Sequence, residues 1–290
     1  MTAGLADKRR FKNEAQDMDD FQRIYGPWAL VTGASSGIGR AVSHELAARK
    51  LNLVVVSRRQ RLLDTLKKEL EHRYGIEVRT LGIDLTKPGA IEEIDRSTQD
   101  IIIGLVVPAA GVAEAAEFTG TTLARHTGMA HLNMIVPMQL IHVFANKMAK
   151  RKRGGVLLVS SLFGYQGIPY VANYAATKAY VLTLGEALHF ELKKHGIDVS
   201  VLAPGLTDTD MPANLPLNFS KLPMFYQSPW KVARTGIRAL GKKATVVSGL
   251  INKFYAWQNR LVPRSLPVSL FGFLIKRSFK TPAALRGGNT

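Results

Sequence analysis

The sequence predicts a doubly wound α/β fold with a mainly parallel, seven-stranded sheet and helices on both faces. Short apolar runs alternate with longer amphipathic stretches along the chain, which is typical of strands joined by crossover helices. The apolar runs are also continuous in Val, Ile and Leu, as in strands that are buried on both faces. With 290 residues, of which 46% are hydrophobic, the chain can form one large globular domain.

Each element follows from these patterns. The strands are predicted at 28–33, 51–58, 77–85, 101–110, 154–162, 198–205 and 244–249. The helices are predicted at 38–49, 122–151, 173–195 and 228–240, together with a charged helix that ends near residue 72. Sheets of this kind bind ligands at the carboxyl ends of their strands. We therefore expect the functional residues in the loops at that edge.

Three regions are expected along the chain. Residues 1–25 form a polar leader, residues 26–249 form the α/β domain, and residues 250–290 form a basic and apolar extension. The leader lacks the continuous apolar segment of a cleaved signal peptide, and no run has the length of a membrane span. The expected location is cytoplasmic.

Composition excludes several kinds of chemistry. The chain has no cysteine, which excludes disulfides, thiolate catalysis and cysteine metal sites. Its histidines lack the spacing of metal ligands, so no metal site is expected. We find no nucleic-acid-binding motif and expect no nucleic-acid partner. The net charge of +17 fits an anionic cofactor, thioester or lipid surface, and it fits a solvated basic surface equally well.

A glycine-rich turn follows the first predicted strand and opens a helix. Glycine permits positive φ and lets the backbone approach a pyrophosphate closely, and the helix offers free N–H groups at its positive end. The turn therefore predicts a nucleotide site. Its predicted contacts are Gly33, Ser35, Ser36, Gly37, Ile38 and Gly39.

From Thr32 to Gly39 the turn has the spacing T-G-x-x-x-G-x-G. With this motif, the chain resembles the short-chain dehydrogenase/reductase family from about Trp28 to Gly249. The resemblance implies a Rossmann-type fold and hydride transfer between a nicotinamide cofactor and a carbonyl or alcohol. It also implies a homodimer or homotetramer assembled through the helices that carry Asn133 and Tyr174.

The end of the second strand indicates which cofactor is used. Folds that bind NAD usually place an acid there to hold the ribose 2′-OH, whereas this strand ends in Arg58 and Arg59. Arginine binds a phosphate with two charge-assisted hydrogen bonds, so NADP(H) is the predicted cofactor, with Arg40 as a further basic candidate. The alternative is that both arginines begin a solvated loop. The resemblance adds Asp84 and Leu85 as the adenine contacts, although Asp84 could equally cap the next helix.

Tyr174 and Lys178 are the predicted acid/base pair. They lie four residues apart in a predicted helix and therefore share a face. A free phenol has a pKa of about 10, which is too high for acid/base work at neutral pH. Because a nearby ammonium stabilises phenolate, we expect Lys178 to lower the pKa of Tyr174.

The resemblance extends this pair to a tetrad. Ser161 lies thirteen positions before Tyr174 and matches the family's substrate-polarising serine, whose hydroxyl stabilises developing negative charge. Asn133 matches the asparagine that holds a water relay towards the lysine, and Lys178 would also bind the nicotinamide ribose. Alone, Ser161 and Asn133 could be structural residues. The other matched cofactor contacts are Ala110, Gly111, Pro204, Gly205, Thr207 and Thr209.

One family motif is altered. Where the family commonly has Asn-Asn-Ala-Gly, this chain has Pro108-Ala109-Ala110-Gly111, and proline also lacks a backbone N–H. Other groups must then support the central strands beneath the cofactor. The change leaves a second function open, namely a catalytically silent nucleotide-binding regulatory protein on the same fold.

Two C-terminal segments bear on substrate and partners. Residues 206–228 are rich in proline and apolar residues and are predicted to form a lid, which favours a fairly apolar ketone or alcohol. By resemblance, the candidates are 3-oxoacyl thioesters, steroids and other lipid carbonyls. Residues 251–280 interleave aromatic, aliphatic and basic residues, with two prolines that divide them into short pieces. This pattern suits peripheral membrane contact, an arm over the cleft, or packing on a second subunit.

Overall fold

The computed structural model describes residues 18–258 and 261–286. Most of the predicted leader (1–17), two residues of the extension (259–260) and the chain end (287–290) lie outside the described residues. The described chain has a central parallel sheet between two helical layers.

Seven parallel strands form the sheet in the order β3-β2-β1-β4-β5-β6-β7. They are β1 Trp28–Thr32, β2 Asn52–Val56, β3 Val78–Leu81, β4 Ile103–Pro108, β5 Gly154–Val159, β6 Ile197–Ala203 and β7 Thr245–Val247. The direction of winding reverses between β1 and β4, which opens a crevice at the carboxyl ends of the strands. The predicted doubly wound, Rossmann-type fold is confirmed.

The predicted strands match these seven but run past their carboxyl ends, by one residue at β1 and by four at β3. After β3, Ile83 and Leu85 remain buried although they lie outside the hydrogen-bonded strand. An apolar sequence pattern reflects burial and not strand hydrogen bonding. It therefore continues past the strands into the buried loops at the carboxyl edge of the sheet.

Helices cover both faces of the sheet. In chain order they are α1 18–25, α2 Gly37–Ala47, α3 Gln60–Tyr74, α4 Ala90–Arg96, α5 Leu123–Ala130, α6 Val136–Arg151, α7 Ala172–Glu191, α8 Asp210–Ala213, α9 Pro229–Ala239, α10 Leu250–Gln258, α11 Ser265–Ser278 and α12 Pro282–Leu285. Alternate residues of each strand supply the two core layers. In β1, Ala29 and Val31 join the layer under α2, α3 and α9, whereas Leu30 joins the layer under α4, α6 and α7.

The helices α5 and α6 are continuous through one π-helical turn, His131–Ile135. The resulting helix, Leu123–Arg151, is long and apolar enough to cross a membrane by length and composition, contrary to the expectation that no segment reaches that length. Here its apolar residues, among them Leu140, Phe144 and Met148, are buried in the core layer that covers β4 and β5. The helix thus completes the core.

The end of the predicted leader is part of the packed fold. Helix α1 packs Phe21, Ile24 and Tyr25 against the core. The hydroxyl of Tyr25 donates a 2.6 Å hydrogen bond to Asp198 Oδ2 on β6, and burial together with this bond raises the pKa of Tyr25. These three apolar residues are too few among charged neighbours to stand out in the sequence.

The C-terminal extension packs against the predicted lid. Phe271 and Ile275 of α11 join Leu217 and Phe219 in a third apolar cluster. Leu217 also pairs with Phe279 in an isolated antiparallel bridge. The lid and the extension therefore form one packed unit above the sheet.

We predict that Tyr25→Phe destabilises the fold by about 1–2 kcal/mol, because it removes a part-buried hydrogen bond to a carboxylate. Urea unfolding at pH 7 measures the change, with the exposed Tyr226→Phe as the matched control. Equal stability of Tyr25→Phe and the natural protein would show that the α1–β6 hydrogen bond contributes nothing.

Candidate active site

A cavity of about 630 Å³ lies at the carboxyl edge of the sheet, between the strand-end loops and the lid. Of the predicted site residues, only Asn133 and the further basic candidate Arg40 do not line it. The lining residues from the prediction are Gly33, Ser35, Ser36, Gly37, Ile38, Gly39, Arg58, Arg59, Asp84, Leu85, Ala110, Gly111, Ser161, Tyr174, Lys178, Pro204, Gly205, Thr207 and Thr209. Within residues 18–258 and 261–286, no group of three His, Asp or Glu side chains could hold a metal ion.

The glycine turn after β1 can cradle a phosphate. Gly33 has a φ of 67°, and a Cβ at this position would lie 2.8 Å from the backbone of Ala110, so the position requires glycine. Ser36 is the N-cap residue of α2 and makes no side-chain cap hydrogen bond. The first-turn N–H groups of α2 are therefore free of a side-chain cap and face the cavity end that the turn lines.

Two arginines lie at the end of β2 beside this turn. The guanidinium of Arg59 donates to Ser35 Oγ at 2.8 Å and to Ser36 Oγ at 2.6 Å. Its Nη1 also lies 3.9 Å from Asp210 Oδ2 in α8 of the lid. Arg58 lines the same cavity. Arg59 thus joins the phosphate turn to the lid.

Arg40, the further basic candidate, is directed elsewhere. Its guanidinium forms an ion pair with Glu69 of α3, and it is absent from the cavity lining. Because Arg40 directly follows the turn in the sequence, we expect it near the phosphates. Helix α2 instead directs its side chain towards Glu69 of α3.

Asp84 and Leu85 line the cavity beside the arginines. Asp84 Oδ1 accepts hydrogen bonds from Thr86 N at 3.0 Å and Thr86 Oγ1 at 2.7 Å, and these bonds lower the pKa of Asp84. The N-cap residue of α4 is Gly89. Asp84 therefore stabilises the turn before α4 and does not cap the helix itself.

Three hydrogen bonds between backbone groups and side chains support the end of β4, where the family commonly has two asparagines. Ala110 N donates to Thr32 Oγ1 at 3.2 Å. Val112 N donates to Asn133 Oδ1 at 3.0 Å, and Asn133 Nδ2 donates to Val112 O at 2.9 Å. Asn133 lies buried in the π-helical turn, and its Nδ2 also donates to Thr177 Oγ1 at 3.1 Å. Its amide thus ties the β4 loop to α7.

Ser161, Tyr174 and Lys178 meet inside the cavity. Ser161 lies close enough to Tyr174 to lower the pKa of its phenol by hydrogen bonding. Lys178 Nζ lies 5.8 Å from the centroid of the Tyr174 ring and donates to Val159 O at 3.0 Å. The neighbouring Ser160 donates instead to Lys178 O at 2.7 Å, so its hydroxyl anchors α7. The end of β5 and the first turns of α7 bring three of the four predicted catalytic residues together.

Burial shifts the pKa values of both titratable side chains at this site, Lys178 and Tyr174. It lowers the pKa of Lys178 to about 8. It raises the pKa of Tyr174, and the hydrogen bond from Ser161 opposes that rise. The net shift of the Tyr174 pKa is therefore upward and not downward as predicted, because desolvation dominates. Stabilisation of the Tyr174 phenolate by Lys178 stays a prediction. Tyr174 is a protonated phenol at neutral pH.

Sequence reasoning missed the apolar wall of the cavity outside the lid. Its residues from the loop between β5 and α7 are Leu162, Phe163 and Val171. They carry no motif, and their only signal is their position between Ser161 and Tyr174. It also missed Asn252 of α10, which is buried and packs so closely on Gly205 that a Cβ there would collide with its amide.

Comparison with known proteins agrees with this arrangement. The family model for short chain dehydrogenases matches residues 27–218. A 7beta-hydroxysteroid dehydrogenase of Clostridium sardiniense is 30% identical over 253 residues, which cover 87% of this chain and 97% of the relative.

Two solved structures extend the likeness to the fold. A structure from a study of 7beta-hydroxysteroid dehydrogenase stereoselectivity superposes with a TM-score of 0.80 at 28% identity and covers 87% of this chain and 99% of its own. A short-chain dehydrogenase from Sphingobium yanoikuyae in complex with NADPH has a TM-score of 0.73 at 26% identity and covers 81% and 94%. This chain belongs to the short-chain dehydrogenase/reductase family of oxidoreductases, which use NAD(H) or NADP(H).

Proposed function

We propose that the protein is an NADP(H)-dependent carbonyl reductase or alcohol dehydrogenase that acts on a fairly apolar ketone or alcohol. One observation carries the proposal: a single cavity joins the glycine turn, the Ser161–Tyr174–Lys178 group and the apolar lid. A dinucleotide held by the turn and an apolar substrate held under the lid would meet beside Tyr174.

The cavity residues fit NADP(H) better than NAD(H). The glycine turn and the start of α2 suit the pyrophosphate. Arg58 and Arg59 suit a 2′-phosphate, whereas the end of β2 offers no carboxylate for a free ribose hydroxyl. Asp84 and Leu85 would hold the adenine. The similar Sphingobium yanoikuyae enzyme in complex with NADPH supports the same choice.

The reaction needs a hydride and a proton, and the cofactor supplies the hydride. Tyr174, which burial keeps protonated, donates the proton from its hydroxyl to the substrate oxygen. The Ser161 hydroxyl holds that oxygen next to the phenol and stabilises the negative charge that develops on it. The Lys178 ammonium offsets the charge left on Tyr174. Alcohol oxidation runs the same proton transfer in reverse.

Asn133 acts in this proposal as a positioning residue. Its amide fixes Val112 at the β4 end and Thr177, the residue before Lys178. It therefore fixes the position of the loop after β4 relative to α7. A water relay through Asn133, as the family resemblance implies, stays a prediction.

The lid and the relatives favour a bulky apolar substrate such as a steroid or another lipid carbonyl. The lid residues that line the cavity include Leu206, Leu215, Phe219 and Met224, and walls of this kind suit apolar ligands. The relatives named 7beta-hydroxysteroid dehydrogenases point to the same class. A homodimer or homotetramer and a cytoplasmic location remain further predictions.

Steady-state turnover tests the function directly. We expect NADPH oxidation with steroid ketones or 3-oxoacyl thioesters, and much less with small aldehydes or with NADH. Because Tyr174→Phe removes the proton donor, it should lower kcat by about 10²–10⁴-fold with NADPH binding kept. Tyr180→Phe on the same helix is the control. Tight NADPH binding without turnover on any substrate would favour the silent regulatory protein instead.

Arg59 tests the cofactor choice. Replacement by alanine removes charge-assisted hydrogen bonds to the proposed 2′-phosphate and should raise the KM for NADPH by about 10- to 100-fold. The KM for NADH should change little. Arg61→Ala, an exposed site outside the cavity, controls for loss of charge alone. An equal effect of Arg59→Ala on both cofactors would contradict the assignment.

A further inference from the structure

The positive charge of this protein is concentrated in its C-terminal part. Residues 211–290 hold 13 Lys and Arg and no Asp or Glu, whereas the net charge of the whole chain is +17. Most of the excess charge therefore belongs to α9, the turn after it and the C-terminal helices, since the lid holds only Asp208, Asp210 and Lys221 as charged residues. A surface that carries charge of one sign attracts an oppositely charged partner over roughly a Debye length of about 10 Å.

Helix α11 has two opposite apolar faces. One face, with Pro267, Phe271 and Ile275, is buried, and Phe271 and Ile275 pack in the cluster below the lid. The other face carries Leu266, Leu270 and Phe273, which are 59%, 57% and 55% exposed. A helix that is apolar on all sides is normally covered on all sides, and large exposed apolar patches mark contact sites.

Helix α10 repeats this arrangement. Tyr255 turns inward, with its ring 6.0 Å from that of Phe271 and its hydroxyl donating to Pro223 O at 3.2 Å. Leu250, Phe254 and Trp257 are exposed at the spacing i, i+4, i+7, which places them on one face of the helix. Two adjacent helices thus present apolar side chains to solvent.

Basic side chains lie among these apolar ones. Lys253, Arg264, Lys276 and Arg277 are exposed on or next to the two helices. The guanidinium of Arg277 lies 5.1 Å from the centroid of the Phe273 ring. Exposed aromatic and aliphatic groups interleaved with Lys and Arg are the composition of helices that lie in a lipid–water interface.

We infer that the exposed faces of α10 and α11 form a docking surface for an anionic lipid bilayer. Its apolar residues are Leu250, Phe254, Trp257, Leu266, Leu270 and Phe273, and its basic residues are Lys253, Arg264, Lys276 and Arg277. Negatively charged headgroups complement this charge, whereas a second copy of the chain docked face to face would bring like charges together. The inference does not depend on the proposed substrate.

The lid connects helix α11 to the cavity. Asn218 N donates to Ser278 O at 2.7 Å, and Lys280 N donates to Pro216 O at 3.0 Å, which fixes the lid to the end of α11. Phe219 belongs both to the cluster with Phe271 and to the cavity lining. If the proposed function holds, an apolar substrate dissolved in the bilayer reaches the lid without crossing water.

Vesicle co-sedimentation of the full chain tests the inference. We expect at least tenfold tighter binding to vesicles of phosphatidylcholine with about 30% phosphatidylserine than to phosphatidylcholine alone, and weaker binding at high salt. The double variant Leu270→Glu with Phe273→Glu should lose at least tenfold in binding. Leu62→Glu on α3, an equally drastic change at an exposed leucine, should bind normally. This assay does not require turnover, so its outcome is separate from that of the proposed function.

A second variant distinguishes a loss of vesicle binding from a loss of folding. Lys276→Glu with Arg277→Glu alters exposed side chains only and should also lose binding to anionic vesicles, while its circular dichroism and melting temperature match those of the natural protein. Equal binding to neutral and anionic vesicles, or none to either, would overturn the inference. So would variants that change the oligomeric state in size-exclusion chromatography but not vesicle binding, since a second copy would then cover this surface.

Discussion

The buried ammonium of Lys178 is the group around which the cavity is arranged. Lys178 is 6% exposed, and burial of a charged amine is unfavourable unless the surroundings compensate for the lost water. Here β5 supplies the carbonyl of Val159 as its acceptor. Gly164 lets the turn after β5 approach α7, because a Cβ there would lie 2.8 Å from Lys178 O. A lysine held at this cost is typical of a functional site.

Close packing and hydrogen bonds around the end of β4 explain how the sheet tolerates the loss of the two asparagines there. Gly33 fits against the Ala110 backbone only because it lacks a side chain, and Thr32 Oγ1 accepts from Ala110 N. On the far side, Asn133 hydrogen bonds both backbone groups of Val112. The β4 loop is thus held from β1 on one side and from the π-helical turn on the other. The position of Lys178 is therefore supported without the asparagine pair.

The sequence was sufficient for what depends on local pattern, and it failed where distant residues meet. Continuous apolar runs located all seven strands, of which the five inner ones are almost wholly buried and the edge strands β3 and β7 are partly buried. Motif spacing placed nineteen site residues on one cavity. The ion pair of Arg40 with Glu69, the contact of Asn252 with Gly205 and the direction of the Tyr174 pKa shift were not predictable. Each of them depends on tertiary packing and burial.

Unfolding of Lys178→Met as a function of pH tests most directly whether a desolvated ammonium organises the site. Since the folded protein has a Lys178 pKa of about 8, below the ordinary 10.5, unfolding takes up a proton between these values, and natural stability rises with pH across that window. We predict that the variant is more stable by about 2 kcal/mol at pH 7 and that this advantage disappears by about pH 10. The exposed Lys194→Met should show no such trend. A Lys178→Met protein that is less stable than the natural one at pH 7, or whose stability difference does not change with pH, would contradict this account.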